Sequence, residues 1–406
     1  MTQTTIAAAA ARSSDARVIA LVGAAHFVSH VYILVLPPLF PFVRAEFGVT
    51  YTRLGIAIAI FNILTGLLQT PAGFLVDRLS ARAVLIGGLL LGAVSLAGAA
   101  MVSSFTVFVV MFALLGVANA AYHPADYALL SGRVSAARMG QAYSIHIFAG
   151  FAGTAAAPAT LLILAESLGW RGAFLAAAAL GLIVAAILLL FGEVMAGRDP
   201  TRIKEKESGE KGADSRILVS APILLSLCFY MLLAMTAGLQ IYAIVALEAL
   251  WGTPLPLATT ALTAYLAMSA FAVLVGGFIS ARTDRHDLVA VIGLSVNALA
   301  LVPIAFFDLG AAMLIGLMGL SGFFSGVFQP SRDMIVRAVT PPGAFGRVFG
   351  FVTTGFSIGG VIAPPIFGYM MDHGEPRLVI LGAAFCALIS IPTVMITVAR
   401  RAKRVR

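Results

Sequence analysis

Charged residues are scarce in this chain of 406 residues. They make up 11% of the sequence, whereas hydrophobic residues make up 60% and the mean hydropathy is +1.01. A soluble protein carries about 25% charged residues. Because a water-exposed surface cannot be built from so few charges, we expect lipid to surround most of the chain. The composition therefore excludes an ordinary soluble globular protein.

Cysteine and enzyme motifs are also nearly missing. The two cysteines, Cys228 and Cys386, lie in apolar stretches and lack the spacing of a metal site. The sequence has no His-Glu-x-x-His motif, no Gly-x-Ser-x-Gly motif and no phosphate-binding loop. We therefore expect neither an enzyme nor an ATP-driven pump, and no cofactor or resident metal.

Long apolar stretches dominate what is present, and each is long enough for the ~20 residues that a membrane-spanning helix needs. The basic residues Arg12 and Arg17 precede a first stretch that is too long for a signal peptide, so this span should stay in the mature protein. The twelve predicted spans are 18–43, 52–76, 83–103, 105–131, 139–165, 171–192, 217–248, 257–280, 288–307, 311–337, 346–371 and 377–399.

A charged segment without apolar periodicity divides these spans into six and six. The sequence thus predicts an all-α, multi-pass membrane protein in five parts. They are a segment at 1–17, a six-helix bundle at 18–192, a linker at 193–216, a second six-helix bundle at 217–399 and a basic tail at 400–406.

The two halves repeat each other. Three pairs of landmarks are each 206 residues apart, close to half of the chain: Pro124 and Pro330, Gly140 and Gly346, and Pro158 and Pro364. A duplicated half in a very apolar chain is typical of transporters built from two related bundles. We therefore expect two pseudo-symmetric bundles of six helices.

The basic residues predict the orientation. With the N-terminus inside, all but four of the 26 Lys and Arg residues lie in inner segments, the exceptions being Arg44, Arg53, Arg171 and Arg377. Positive charge accumulates in cytoplasmic loops, so both termini should be cytoplasmic. The net charge of +8 follows from this topology and predicts no nucleic-acid partner, although the basic tail could contact anionic lipid.

A motif between the second and third spans resembles the loop signature of the major facilitator superfamily. Its matching residues are Gly73, Leu75, Asp77, Arg78, Arg82 and Leu85. The sequence departs from the signature at Ser80 and Ala81, and its second copy has Ala281 at the aspartate position. The resemblance implies a cytoplasmic gate of Gly73, Asp77, Arg78 and Arg82, in which Asp77 faces the positive end of a neighbouring helix.

A narrower resemblance is to the fosmidomycin-resistance-type branch of that superfamily, whose members export drugs. The residues that carry it are His123, Pro124, Ser144, Ile145, Gly150, Gly153 and Pro158. The chain departs from the branch at Ala125, where an acidic residue is usual, and from efflux members at Ala157, where glycine is usual.

Four of the six histidines lie inside predicted spans, all in the first half: His26, His30, His123 and His146. Ionisable groups in spans usually face a cavity, and histidine titrates near neutral pH. The cluster is thus expected to carry a coupling proton or to contact substrate. Hydrogen bonding between helices and a divalent-metal site are the alternatives.

Asp126 lies about one helical turn from the inner end of the fourth span. We expect it to pair with Arg82 or Arg78 in the gate, and a proton site is the alternative. At the corresponding positions of the repeat, Gln329 and Arg332 are candidates for the cavity. We expect Arg332 to belong to the inner gate or to snorkel to the lipid surface, and an anion contact is the alternative. Other candidates for the cavity are Tyr32, Asn119, Tyr122 and Gln240.

Together these features predict a secondary active transporter of the bacterial inner membrane that works by alternating access. Its partners would be a small-molecule substrate, protons and the lipid bilayer, and a monomer is typical of the superfamily. Proton-coupled export of a small organic compound is the first hypothesis, and proton-coupled uptake of a small organic anion is the second. Divalent metal transport and a non-transporting receptor are weaker alternatives. Substrate, direction and stoichiometry are left open by the sequence.

Overall fold

The computed structural model describes residues 3–195, 215–341 and 345–405. The predicted linker lies mostly outside these ranges. Within them the regular structure is entirely helical. The helices are α1 (Gln3–Ile33), α2 (Phe40–Phe47), α3 (Tyr51–Arg78), α4 (Ala81–Met101), α5 (Phe105–Asn119), α6 (Tyr122–Arg133), α7 (Met139–Phe191), α8 (Ala221–Thr236), α9 (Gly238–Trp251), α10 (Leu255–Ser280), α11 (His286–Phe306), α12 (Ala311–Val327), α13 (Gln329–Val339), α14 (Phe345–Asp372) and α15 (Pro376–Val405).

Within the described ranges, eleven helical stretches are long and apolar enough to cross a membrane. This confirms an all-α membrane protein. The count differs from the twelve predicted spans at one place, because the fifth and sixth spans both lie in α7, whose 53 residues comprise two helices that meet at a kink. Gly169 interrupts α7 with φ 73° and ψ 164°, a conformation that is open almost only to glycine.

Four predicted spans contain a break: the first lies in α1 and α2, the seventh is divided at Ala237 into α8 and α9, and the fourth and tenth are broken near positions that the repeat relates. The fourth span is divided at Ala120 and Ala121 into α5 and α6, and the tenth is divided at Phe328 into α12 and α13. Each of these last two breaks lies just before a proline of the repeat, Pro124 or Pro330. Because proline has no N–H and its ring crowds the preceding turn, an apolar helix bends or stops there.

The chain divides into two compact units. The first comprises Met1–Leu39 and Ile60–Ser208, and the second comprises Phe40–Ala59 and Gly209–Arg406. The boundary passes through α3, so the start of this helix belongs to the second unit. The predicted bundle limits 18–192 and 217–399 stay a prediction.

In the first unit, close helix crossings depend on glycine. The ring of Tyr32 in α1 is buried against Gly92 of α4 and Gly181 of α7, where any larger side chain would meet it. Gly153 of α7 likewise lies against the backbone of Phe27 in α1. These contacts bring α1 and α7 together along the side on which the histidines lie.

In the second unit, α10 crosses α12 at Gly322 and Gly326, and α8 crosses α14 at Gly355 and Gly359. Each of these glycines lies against the backbone of the facing helix. The second crossing places the middle of α8 beside α14, where the polar side chains of this unit gather.

Candidate functional site

Four histidines meet in the first unit. His26 and His30 are one turn apart on α1, His123 lies in the first turn of α6, and His146 lies in α7. The ring centroid of His26 is 4.7 Å from that of His30, 5.2 Å from that of His123 and 3.7 Å from that of His146. The structure thus brings together all four histidines that the sequence singled out.

Asp126 of α6 completes the cluster. Its side chain is fully buried, and its Oδ2 atom is 3.0 Å from Nε2 of His146, with hydrogen-bond geometry. The same oxygen is 3.2 Å from Nδ1 of His26, within ion-pair distance although the angles do not make a hydrogen bond. A buried carboxylate is stable only when it is paired or protonated. The negative charge of Asp126 must therefore be neutralised, either by a proton on its own carboxylate or by a proton on His26 or His146.

The expected pairing of Asp126 with Arg82 or Arg78 is wrong. Asp126 faces the histidines, and Arg82 donates from Nε and Nη2 to the carbonyl oxygen of Leu188 at 3.2 and 2.9 Å and from Nη2 to that of Leu189 at 2.8 Å. These carbonyls belong to the last turn of α7, the negative end of its dipole. Arg82 is thus engaged with a helix terminus.

The other predicted gate residues lie at the C-terminal end of α3. Asp77 and Arg78 are exposed, and no atom lies within 4 Å of the place where a side chain of Gly73 would begin. Their gate role stays a prediction.

Thr154, which the sequence analysis missed, fixes the orientation of His30. Its hydroxyl donates to the carbonyl oxygen of Gly150 at 3.2 Å, and its oxygen is 2.8 Å from Nδ1 of His30. Since the hydroxyl proton is used, Nδ1 of His30 must be the donor, an assignment from the hydrogen-bond network. The signal was available, because Thr154 lies one turn after Gly150 and two turns after His146 on α7.

Several polar atoms of the cluster have no hydrogen-bond partner among the described residues. They are Nδ1 of His26, Nδ1 of His123, Nδ1 of His146 and Oδ1 of Asp126. Leaving such atoms unpaired in a protein interior costs free energy. Tyr127, also missed, lies beside two of the rings, 5.4 Å from His146 and 5.9 Å from His123, and its side chain is 44% exposed. The cluster is therefore buried on most sides and opens beside Tyr127.

The nitrogens of His26, His123 and His146 come within 4.8 Å of one another, which is close enough to consider a metal ion. However, the rings of His26 and His146 are stacked with an interplanar angle of 22°. A metal lies in the plane of each coordinating imidazole. Two nearly parallel rings, one above the other, do not direct their lone pairs to one point, so this arrangement does not favour coordination of one metal ion by both.

Three other candidates of the first unit make contacts between helices. Tyr32 is buried against glycines of α4 and α7, and Tyr122 is buried with no hydrogen-bond partner for its hydroxyl among the described residues. Asn119 Nδ2 lies 3.4 Å from the hydroxyl of Thr65, which in turn donates to the carbonyl oxygen of Gly116. Tyr122 borders the histidine cluster, since it interacts electrostatically with Asp126, whereas Tyr32 and Asn119 make the contacts given above.

Arg332 is the centre of a second polar group, in the second unit. Its guanidinium carbon is 4.8 Å from the ring centroid of Tyr230 and 5.2 Å from that of Phe356. Its Nε atom is 2.8 Å from Oδ1 of Asp333, which also accepts a hydrogen bond of 2.6 Å from the hydroxyl of Tyr230. The sequence analysis missed Asp333, although it directly follows Arg332.

The remaining two candidates are Gln329, at the start of the helix that carries Arg332, and Gln240 of α9. Gln329 donates to the carbonyl oxygen of Ser325 at 3.3 Å. Gln240 is beside the hydroxyl of Tyr265, which is 3.1 Å from the hydroxyl of Ser325. Gln329 thus forms a hydrogen bond with a residue of α12, and Gln240 forms one with a residue of α10.

Apolar helices long enough to span a bilayer, a repeated half and ionisable groups buried within helices define a multi-pass membrane transporter. The family model described as Major Facilitator Superfamily matches residues 22–251 and 227–406. The chain therefore belongs to the Major Facilitator Superfamily.

Individual proteins that the chain resembles are consistent with this family. The chain is 23% identical to the fosmidomycin resistance protein of Escherichia coli (strain K12) over 400 residues, which cover 96% of both chains. It is also 23% identical to an uncharacterized MFS-type transporter of Bacillus subtilis (strain 168) over 387 residues, which cover 92% of this chain and 91% of the relative. A crystal structure of a bacterial homologue of the human lysosomal transporter Spinster, inward-facing and occupied, shares the fold with a TM-score of 0.74 at 13% identity, covering 95% of this chain and 97% of that one.

Proposed function

We propose that this transporter is a proton-coupled antiporter of the bacterial inner membrane that exports a small organic compound by alternating access. The observation that carries the proposal is the buried position of Asp126 between His26 and His146. This position supports a site that binds and releases one proton. The site lies in the first half of the chain, where the sequence predicts the histidine cluster.

The physical argument starts from the cost of charge. An ionised carboxylate inside a membrane protein is costly unless a cation or proton neutralises it. The carboxylate of Asp126 lies within ion-pair distance of two imidazoles. When both imidazoles are neutral and the carboxylate is ionised, these three groups carry one negative charge, and binding of a single proton makes them neutral. The titratable groups that face this site come from α1, α6 and α7: His26, His30, Tyr122, His123, Tyr127 and His146.

Stacking of His26 on His146 limits the cluster to few protons. Two imidazolium rings with centroids 3.7 Å apart would repel each other strongly in a low-dielectric interior. Only one of the two is then charged at a time, and Asp126 stabilises that charge. Gain of the proton in one state and its loss in the other would bias the equilibrium between the two states of the transporter.

Export is the direction that the similarity supports. The relative from Escherichia coli that matches along 96% of both chains is named for fosmidomycin resistance, and the motifs around His123 and Pro158 resemble the same branch. We extend the proposal to a topology of twelve spans with both termini in the cytoplasm. Gly73, Asp77 and Arg78 would close the inner side, while Arg82 holds the end of α7.

Growth of a drug-sensitive bacterium that expresses the chain tests this proposal. The panel would include fosmidomycin and a small set of anionic and lipophilic toxins. We expect higher resistance to at least one compound, and we expect Asp126→Asn at equal membrane levels to remove it. Unchanged sensitivity across the panel would overturn export, and heightened sensitivity would indicate uptake instead.

A further inference from the structure

The side chain of Arg332 is held as a flat, oriented cation. The rings of Tyr230 from α8 and Phe356 from α14 lie within 5.2 Å of its guanidinium carbon, and the side chain is 13% exposed. Aromatic faces attract a guanidinium by cation–π interaction and restrict its plane. An arginine that snorkels to the lipid surface would be extended and mobile, whereas this one is fixed inside its unit.

Asp333 holds one side of the guanidinium only. Its Oδ1 atom contacts Nε, and the hydroxyl of Tyr230 fixes the same oxygen. Asp333 is the one carboxylate that pairs with Arg332 within the described ranges, so the end of the guanidinium that carries the two terminal nitrogens has no carboxylate partner there. Those two nitrogens form the fork that binds a planar or tetrahedral anion in two parallel hydrogen bonds.

The group opens to water and not to lipid. Arg332 lies seven residues before the end of α13, about 10 Å along the helix. The side chain of Asp333 is 47% exposed. Since a carboxylate that faced hydrocarbon at this depth would be costly, the open side of the group has to face an aqueous path. A solute can therefore approach the group on the side of Asp333, next to the guanidinium of Arg332, which is 13% exposed and also in hydrogen-bond contact with Tyr230.

The repeat places this group at the position of the histidine cluster in the other half. Arg332 and Asp126 are 206 residues apart, as are Phe356 and Gly150. In the first unit Gly150 leaves room for imidazole rings beside an acid, whereas in the second the ring of Phe356 covers one face of a cation. The duplicated halves thus carry opposite charges at equivalent sites.

We propose that Arg332 is a substrate-binding residue and that the substrate carries a carboxylate, phosphonate or sulfonate group. This inference rests on the proposed transport function and names its substrate class. Arg332 forms two hydrogen bonds to the anion, the rings of Tyr230 and Phe356 orient it, and Asp333 is a positioning residue that holds the guanidinium while the site is empty.

Binding to the purified full-length protein in detergent tests this inference without a proton gradient. The probes are benzoate and methylphosphonate, with benzyl alcohol as the neutral match for benzoate, and isothermal titration calorimetry gives the affinities. We expect both anions to bind and benzyl alcohol to bind at least about tenfold more weakly than benzoate, since a charged hydrogen-bonded pair contributes about 1.5–3 kcal/mol. Arg332→Gln should weaken both anions by the same factor.

Matched variants separate recognition from folding. Arg337→Gln removes an exposed arginine of the same helix and should leave both affinities unchanged. Arg332→Lys keeps the charge but loses the fork and the stacking, so binding should stay weakened. Asp333→Asn removes the competing negative charge and should tighten anion binding severalfold, whereas a purely structural ion pair would predict loss or no change.

Two results would overturn the inference: neither anion binds the wild-type protein more tightly than benzyl alcohol, or Arg332→Gln binds both anions as the wild type does while its thermal stability is unchanged. Asp126→Asn distinguishes this failure from failure of the proposed coupling. It should abolish gradient-driven transport while keeping both probe affinities within about twofold, because its site lies in the other unit.

Discussion

Asp126 is the residue on which the histidine cluster depends. In the proposed mechanism it supplies the negative charge that lets His26 or His146 hold a proton in a buried place, and it is the only described carboxylate within ion-pair distance of these rings. Asparagine has nearly the same shape but cannot bind a proton or carry the charge. Replacement of this carboxylate by an amide therefore separates an effect on proton coupling from an effect on packing.

For Asp126→Asn we expect the rate of gradient-driven export in everted membrane vesicles to fall at least about tenfold, the effect of losing about 1.4 kcal/mol. Exchange of labelled for unlabelled compound, which needs no net proton movement, should persist. Glu166→Gln, an exposed acid on α7, is the matched control and should transport normally. A normal gradient-driven rate in Asp126→Asn would contradict the role given to this carboxylate.

Gly150 makes room for two of the rings. A Cβ atom there would lie 2.7 Å from Nε2 of His26 and 2.8 Å from Nε2 of His30, closer than side chains approach each other. Overpacking of this kind costs about 1–3 kcal/mol, so Gly150→Ala should slow gradient-driven export about tenfold with normal membrane levels. Gly140→Ala, with nothing within 4 Å, should leave the initial rate unchanged, and equal rates for both variants would refute this packing argument.

Helical periodicity explains which of these residues could be predicted from the sequence and which could not. The four histidines were found because an ionisable group in an apolar run is visible by itself. Asp126 was assigned to the wrong partners, although it lies one turn after His123 and so on the same face of its helix. Which of its neighbours it meets depends on how α1 and α7 cross α6, and no local pattern encodes that crossing.

At the scale of helices, ends and breaks determine where side chains lie. Arg82 binds the last carbonyls of α7, and Asp372 of α14 accepts hydrogen bonds of 2.8 Å from the backbone N–H groups of Tyr51 and Thr52 at the start of α3. These are opposite charges at opposite helix ends, the arrangement that a helix dipole favours. The predicted spans located the helices, but these charged caps are contacts between distant segments and were not predicted.

The cap on α3 has a measurable contribution to stability. Asp372→Asn replaces a charged acceptor at a helix N-terminus, so we expect a loss of about 1 kcal/mol of unfolding free energy and a lower melting temperature of the purified protein. Asp308→Asn, an exposed residue of the loop before α12, is the control and should melt as the wild type does. Equal melting of both variants would show that the cap contributes nothing.

At the scale of the whole molecule, composition and the repeat carried most of the prediction. An apolar chain with a duplicated half indicated the fold, and membership of the superfamily confirms it. The breaks within the fourth and tenth spans were not predicted, although each is followed by a polar segment with a proline, at 122–126 and at 329–333. The predicted spans leave a short loop between the fifth and the sixth, at 166–170. In the structure the two helices meet there at a kink at Gly169.

The orientation is open to a direct test. Since basic residues concentrate on one side, a green fluorescent protein fused after Arg406 should fluoresce, and alkaline phosphatase fused at the same place should be inactive. Fusion of each reporter after Arg53, in a predicted outer segment, should give the reverse pattern. An active phosphatase at the C-terminus would invert the proposed topology.

The central claim is that a proton carried by the cluster of Asp126 and its histidines drives export. The most direct measurement is uptake of a resisted compound from the panel into everted vesicles that contain either the wild-type protein or Asp126→Asn, with and without nigericin to collapse the pH gradient. We predict rapid uptake by the wild type that nigericin abolishes, and slow uptake by Asp126→Asn that nigericin does not change. Wild-type uptake that persists after the gradient has collapsed, or an Asp126→Asn variant that is still driven by it, would contradict the account.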